Sequence, residues 1–215
     1  MKRYMCVLIA ALLLVGCGNQ ENADRAEAIQ RAYAAADGCA ARVEVAVARA
    51  NETARYTLDV VHGADGTRVT VVAPEALSGI GATVSGDALK LSYDGIVLDA
   101  LSADPDVSAV NAADVVLRAA ASGVIVERGT EELDGRDALR VCFETEHGGK
   151  TLRAAVWFDE TDAPLYAQIE GEGEILAEMR FTDFVFHDTI SQSSTTKRDE
   201  TDGNSPQTDM GGDRP

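Results

Sequence analysis

The sequence predicts a mainly β domain of the α+β class, with about ten or eleven antiparallel strands and two helices. Three observations predict it. Apolar and polar residues alternate through many short runs. Turn signals separate these runs at intervals of about 8 to 12 residues. Two longer stretches of good helix formers each end at a glycine. Residues 25–190 carry this pattern and are predicted to form one domain.

The two helices are predicted from their composition and end signals. The first occupies "NADRAEAIQRAYAAADG", where Asn22 or Asp24 is a candidate cap and Gly38 stands at the stop position. The second occupies "SAVNAADVVLRAAASG" and ends at Gly123. Both helices offer apolar positions, so we expect them to pack on the sheet.

The strands are predicted from period-two alternation, which gives each strand one apolar and one wet face. The residues predicted to form the core face, or to line a cavity, are Val45, Val47, Leu58, Val60, Val69, Val71, Leu89, Leu91, Leu139, Val141, Phe143, Leu152, Val156, Phe158 and Ile169. In the last long strand the alternation changes phase, which predicts a bulge or bend near Asp183. A single bent sheet forming a half-open barrel and two packed sheets both satisfy this pattern.

The amino terminus has the form of an export signal. Lys2 and Arg3 precede an apolar run from Met5 to Val15, which is shorter than the roughly 20 residues of a membrane-spanning helix. The order Leu14-Val15-Gly16-Cys17 resembles the lipobox of bacterial lipoproteins, whose cysteine receives a diacylglycerol. We therefore interpret 1–16 as a lipoprotein signal peptide, Cys17 as the lipidation site and 17–24 as a tether to the membrane.

The charge of the chain excludes one class of partner. The formal net charge is −17, and removal of the leader with Lys2 and Arg3 makes it −19. Nucleic-acid binding needs a basic surface, so we exclude it and interpret the acidity as favouring solubility. The last 25 residues, 191–215, contain one large apolar residue, Met210, and are predicted to be a disordered tail.

No motif indicates catalysis, a cofactor or a metal site. His62, His147 and His187 belong to no metalloprotease or nucleophile-elbow pattern and are predicted to be solvated. Paired acidic residues lie between predicted strands, where solvated charge is the expected role. The sequence therefore predicts a protein without enzymatic activity.

Two cysteines of the predicted domain, Cys39 and Cys142, allow two interpretations. In an exported protein they could form a disulfide. Cys142 shares a strand face with Arg140 and Glu144, however, whereas Cys39 shares the parity of Val43 on the apolar face. The alternative is two separate thiols.

The segment "AAVWFDETDAPLYAQIEGEGEILAEMRFTDF" (154–184) resembles part of a known family. The strand ending Trp157-Phe158-Asp159, the acidic turn, the strand starting at Pro164 and the closing strand resemble the C-terminal half of the lipoprotein-sorting carrier superfamily, which includes LolA, LolB and LppX. The N-terminal order is similar, with Pro74 and the turn Tyr93-Asp94-Gly95. The resemblance extends over about residues 25 to 186.

This resemblance implies an eleven-stranded half-barrel whose helices cover an apolar concave face. In the family that face holds acyl chains, a partner's hydrophobic segment, or nothing. The lipobox is closer to lipidated members, including germination-related lipoproteins of spore-forming Gram-positive bacteria, which bind a cell-wall enzyme. Aromatic residues are only 5% of the chain. We therefore expect an exported lipoprotein that is anchored through Cys17 to the cell membrane or to an outer membrane. We expect it to act as a scaffold for an envelope protein. The alternative is a carrier of lipid or lipoprotein acyl chains.

Overall fold

The computed structural model describes residues 17–49, 52–86, 88–100 and 106–187. This part of the chain forms one open antiparallel sheet of eleven strands and two α-helices. The predicted fold class is confirmed, and the sheet is a single curved half-barrel rather than two packed sheets. No helix among the described residues is long and apolar enough to cross a membrane.

The elements follow one another in an order that keeps sequential strands adjacent. The helices are α1 (Cys17–Ala35) and α2 (Ala112–Ser122), with a 3-10 turn at Glu75–Leu77. The strands are β1 (Gly38–Arg49), β2 (Glu52–Gly63), β3 (Gly66–Ala73), β4 (Gly81–Ser85), β5 (Ala88–Tyr93), β6 (Ile96–Ala100), β7 (Val124–Leu133), β8 (Arg136–His147), β9 (Lys150–Phe158), β10 (Pro164–Gly171) and β11 (Glu174–His187).

The sheet consists of two meanders joined at its centre. Its strand order is β6-β5-β4-β3-β2-β1-β11-β10-β9-β8-β7, so β1 pairs with β11 and the edge strands are β6 and β7. In the central pair Val45 lies opposite Met179. The register shifts between Ala40 and Arg42, opposite Asp183, which has a positive φ of 53°. The bulge predicted near Asp183 is therefore confirmed.

Helix α1 begins earlier than the sequence predicts. It starts at Cys17. Residues 17–24 therefore belong to the helix and do not form the predicted tether. Neither predicted cap is used as one: Asp24 lies inside the helix and accepts a hydrogen bond from Gln20, and Ala23 is already buried. Burial of an apolar position and a contact between residues four apart both favour extension of the helix toward its N-terminus. The tail 191–215 and the signal peptide 1–16 lie outside the described residues.

An ion pair and a tyrosine fix α1 on the sheet. Arg25 reaches across to the turn between β9 and β10, where its Nη2 lies 3.0 Å from Oδ1 of Asp162. The same guanidinium donates to the carbonyl of Asp159. The Tyr33 hydroxyl donates to the Asp162 carbonyl at 3.2 Å, and its ring meets Phe158 edge-on. These contacts hold both halves of α1 against one turn.

The concave face of the sheet and the two helices form the main core. The residues from the predicted face that are buried in it are Val45, Val47, Leu58, Val60, Val69, Leu139, Val141, Phe143, Leu152, Val156, Phe158 and Ile169. The remaining three, Val71, Leu89 and Leu91, are half-buried. The core is therefore concentrated beneath the helices and becomes thinner toward β5 and β6.

The two cysteines lie on opposite faces of the sheet. Cys39 belongs to the main core under the helices. Cys142 belongs to a second, smaller cluster on the outer face, with Ala155 and Trp157. Both thiols are free, so the disulfide considered between them is not formed. Burial raises the pKa of the Cys39 thiol to about 11, which keeps it protonated and unreactive.

Candidate functional site

Helix α2 fills the concave face of the sheet. Eight of its residues are buried, among them Val115, Val116 and Leu117. Opposite them, Phe143 and Phe158 of the sheet are fully buried. This part of the concave face is packed core, because large side chains from the sheet meet the apolar stripe of the helix. The arrangement stabilises the domain and leaves little room for a ligand beneath α2.

An opening leads from the surface toward this core at the ends of β1, β9, β10 and β11. We call it the rim pocket; its lining is Ala48, Asp106, Val107, Lys150, Thr151, Leu152, Gly171, Glu172 and Leu176. Its volume is about 260 Å³. Leu152 is a core residue, and Val107 and Leu176 pack against the core. The pocket therefore has an apolar floor that is continuous with the concave face.

The rim of the pocket is polar. The Lys150 ammonium lies 2.7 Å from the Asp106 carboxylate, and this ion pair joins the β8–β9 turn to the segment before α2. Asp106 neutralises the Lys150 ammonium, and Glu172 adds a second carboxylate to the rim. The pocket therefore combines an apolar floor with a charged rim, which accommodates a molecule with an apolar chain and a polar end.

Gly171 controls the width of the rim pocket. A methyl group at this position would lie 2.8 Å from Cδ1 of Leu176 and 3.0 Å from Cδ2 of Leu152. Both atoms are ends of flexible side chains, so they would have to move. The absence of a side chain at Gly171 therefore keeps these two leucines in place around the pocket.

A chain of polar side chains is buried between α2 and the sheet. The Thr67 hydroxyl donates to Oδ1 of Asp114 at 2.7 Å, and the other oxygen of Asp114 accepts from Nε of Arg118 at 2.7 Å. Nδ1 of His62 lies 2.7 Å from the Thr67 hydroxyl. Because a hydroxyl has one proton and Thr67 gives it to Asp114, His62 is the donor in that contact. These groups attach α2 to β2 and β3.

The histidines differ from the sequence prediction of three solvated side chains. His187 is exposed, but His62 is half-buried and His147 is buried. Burial lowers the pKa of His62, a shift that Asp114 opposes and Arg118 reinforces. Nε2 of His147 accepts from the Asn111 amide at 3.2 Å, so this histidine supports the start of α2. Both buried rings have structural partners.

A larger groove lies on the outer face of the sheet, opposite the helices. We call it the outer groove; its volume is about 570 Å³, and its polar lining is Glu44, Arg55, Thr57, Tyr166, Glu178 and Arg180. Glu44 lies opposite Arg180 on β11 and opposite Thr57 on β2, so the groove crosses the central strands. Its lining carries charges of both signs, Glu44 and Glu178 with Arg55 and Arg180.

The wall of the outer groove is rigid. The Tyr166 hydroxyl donates to Glu178 at 2.6 Å, and Gln168 donates to the same carboxylate at 3.1 Å. Burial, followed by this bond to Glu178, raises the pKa of Tyr166 to about 12, and the bond from Tyr166 lowers the pKa of Glu178. The Arg180 guanidinium lies 5.4 Å from the centre of the Tyr166 ring. The Tyr166 ring packs against Trp157, with ring centroids 5.2 Å apart and the planes tilted by 54°.

Among the described residues, no group of three or more His, Cys, Asp or Glu side chains is placed to hold a metal ion. The polar chain through Asp114 is enclosed, with Thr67 fully buried and Asp114 only 3% exposed. Catalysis requires a group within reach of a substrate. This buried arrangement can stabilise the fold, but the pockets described above do not include it.

No family model matches the chain, and no curated protein matches it. Several solved structures are similar. An uncharacterized conserved protein from Thermus thermophilus has a TM-score of 0.45 and 13% identity, with 79% of this chain and 87% of that chain covered. A LolA superfamily protein from Nitrosomonas europaea has a TM-score of 0.41 and 12% identity over 76% and 94% of the two chains.

The lipoprotein LppX from Mycobacterium tuberculosis has a TM-score of 0.40 and 16% identity, and the similarity covers 74% of this chain and 93% of LppX. Similarity at TM-scores below 0.5 does not indicate function. The function of this protein is therefore inferred from its rim pocket and its outer groove.

Proposed function

We propose that this protein is an exported, non-catalytic binding protein that holds the acyl chain of a lipid or lipoprotein in the rim pocket. The observation that carries the proposal is the apolar floor of that pocket, where Val107, Leu152 and Leu176 connect the surface to the concave core. The sequence resemblance to lipoprotein-sorting carriers supports the same ligand class.

The size of the pocket sets the form of binding. A cavity of about 260 Å³ is slightly below the usual range of roughly 300–1,000 Å³ for small-molecule sites. It accommodates one segment of an acyl chain, with the polar end of the ligand at the charged rim and the remainder of the chain on the surface. Each buried methylene contributes about 0.8 kcal/mol, so a segment of several carbons gives measurable affinity.

The anchor is the second part of the proposal. Lipidation of Cys17 would hold the protein at a membrane, and α1 begins at that same residue. Because α1 is clamped to the sheet through Arg25, the domain would lie close to the membrane surface with little extended chain between them. This position suits a protein that takes its ligand from, or gives it to, a membrane.

The test is binding of 11-(dansylamino)undecanoic acid, a fluorescent fatty acid, to the mature chain. Leu176→Trp should fill the rim pocket and weaken binding at least tenfold. The control is Ile175→Trp on the preceding residue, which is 45% exposed and does not line the pocket. Thermal melting of both variants shows that they are folded. Saturable binding that is equal in all three proteins, or no binding by the wild type, would contradict the proposal.

A second candidate function is the binding of an envelope protein, and the outer groove favours it. Its rigid wall and its opposite charges, Glu44 and Arg55, are features of polar interface regions. A photo-reactive amino acid at Thr57, introduced in living cells, should then give one discrete adduct that Arg55→Glu abolishes. A ladder of weak adducts that is unchanged by Arg55→Glu would argue against this role.

A further inference from the structure

Strand β6 is an edge strand whose outer side has no partner among the described residues. It pairs only with β5, through a tight turn at Asp94 and Gly95, which have positive φ values of 50° and 76°. Two residues with positive φ between paired strands define a two-residue hairpin. Every second residue of β6 therefore directs its backbone N–H and C=O toward β5, and the others direct theirs outward.

The hairpin register identifies the outward residues. Tyr93 and Ile96 flank the turn and form the hydrogen-bonded pair of a two-residue hairpin, so Leu98, opposite Leu91, also bonds to β5. Val97 and Asp99 lie between these positions. Their backbone groups point away from β5 and are available to another strand.

The side chains of the same hairpin are apolar and exposed. Tyr93 is 59% exposed, Ile96 is 63% exposed, and Val97 and Leu98 are each 62% exposed. Proteins normally protect a sheet edge with charged residues or proline. The other edge strand, β7, follows that rule, since its sequence VIVERGTEEL contains four charged residues. Edge β6 has one charged residue, Asp99, and its exposed positions Ile96, Val97 and Leu98 are all apolar.

We propose that β6 pairs with β6 of a second copy of this chain, in an antiparallel arrangement about a two-fold axis at Leu98. In this register Val97 lies opposite Asp99 of the second copy, and the two symmetric pairs exchange four backbone hydrogen bonds. This register uses the backbone N–H and C=O groups of Val97 and Asp99, which point away from β5. Leu98 then meets its own symmetry mate, which extends the row Leu91–Leu98 across the axis.

A second copy satisfies this edge better than a membrane does. A lipid surface would cover the apolar side chains but offers no partners for the backbone groups of Val97 and Asp99. Pairing at this edge covers only part of the exposed surface of Ile96, Val97 and Leu98, so the interface lies below the roughly 1,200 to 2,000 Å² of stable complexes and is held mainly by the four backbone hydrogen bonds. The dimer is therefore concentration-dependent. This inference is independent of the ligand in the rim pocket.

Cysteine cross-linking tests the register. In a non-hydrogen-bonded antiparallel pair the Cα atoms are about 4.5 Å apart, which suits a disulfide. Leu98→Cys should form a covalent dimer under mild oxidation of the full chain in detergent. The control is Val97→Cys, because residue 97 and its symmetry mate are diagonal neighbours about 7 to 8 Å apart. The wild type gives the background from the chain's own four cysteines, of which Cys39 and Cys142 are buried.

Proline substitution tests the backbone bonds. Val97→Pro removes an outward N–H without affecting a bond to β5, so the monomer should keep its fold. Dimer is measured by native mass spectrometry over a dilution series. The wild type should show a dimer, and Val97→Pro should not. The control Val126→Lys, on the protected edge β7, should keep the dimer. Monomer at every concentration would overturn the proposal. Equal cross-linking of Val97→Cys and Leu98→Cys would also overturn it. Lipid adducts on the wild type that Leu98→Lys removes would instead indicate that a membrane covers this edge, and would overturn it too.

Discussion

Removing the carboxylate of Asp114 should detach α2 from the sheet more effectively than any single surface substitution. Asp114→Ala removes the carboxylate that accepts from the buried Thr67 hydroxyl, which must then donate to Nδ1 of His62 in the other ring tautomer, whereas Arg118, whose side chain is 39% exposed, can return to water. A hydrogen bond to a charged group contributes about 1.5 to 3 kcal/mol. We expect the free energy of unfolding to fall by about 1 to 3 kcal/mol, because relief of the buried charge offsets part of the loss.

Urea unfolding followed by circular dichroism measures this change. The matched control is Asp59→Ala, which removes a carboxylate from an ion pair with Arg42 whose two side chains are each 48% exposed. Its effect should be much smaller. The double variant Thr67→Val with Asp114→Ala should lose less than the sum of the single losses, since neither polar group is then left unpaired. Equal losses for Asp114→Ala and Asp59→Ala would refute the role of the buried chain.

Three further predictions concern the histidine, the helix clamp and the anchor. The pKa of His62 in the folded protein lies below its ordinary value of about 6.5. Between the lowered pKa and about 6.5, the unfolded chain therefore binds more protons than the folded chain. The free energy of unfolding should rise with pH through this range and level off above about 6.5. His62→Gln should flatten this part of a chemical-denaturation series, and His187→Gln should not. Arg25→Ala should accelerate hydrogen exchange in α1 with no change in the central strands, and unchanged exchange in α1 would contradict the clamp. Cys17→Ala should leave an unprocessed precursor in immunoblots, while a wild type that is soluble and unmodified would exclude the lipid anchor.

The strand faces were predictable because side-chain direction alternates along a strand. Val43, Val45 and Val47 alternate with polar or small residues, and all three are buried. The same logic located the bulge at Asp183, where the alternation changes phase. Twelve of the fifteen residues assigned to the apolar face lie in the core; of the three others, Val71 packs against the core, and Leu89 and Leu91 lie on β5, toward the open edge of the sheet.

Other features depend on contacts that sequence patterns do not contain. Thr67 and Asp114 are 47 positions apart, and a polar residue in a strand or helix indicates a wet face by default. Asp114 and Arg118 do have the spacing of a helical ion pair, which signals an interaction but not its burial. The outer groove is lined by residues from five strands, β1, β2, β3, β10 and β11. Its lining residues have the polarity of ordinary surface positions, so only the fold brings them together.

Native mass spectrometry of the wild-type protein, extracted from its membrane in mild detergent, tests the binding of an acyl ligand most directly. We expect a population heavier than the processed, Cys17-lipidated chain by the mass of one further acyl lipid, present in Ile175→Trp and lost in Leu176→Trp. Wild-type protein that carries no such ligand, and acquires none from added fatty acid, would contradict it.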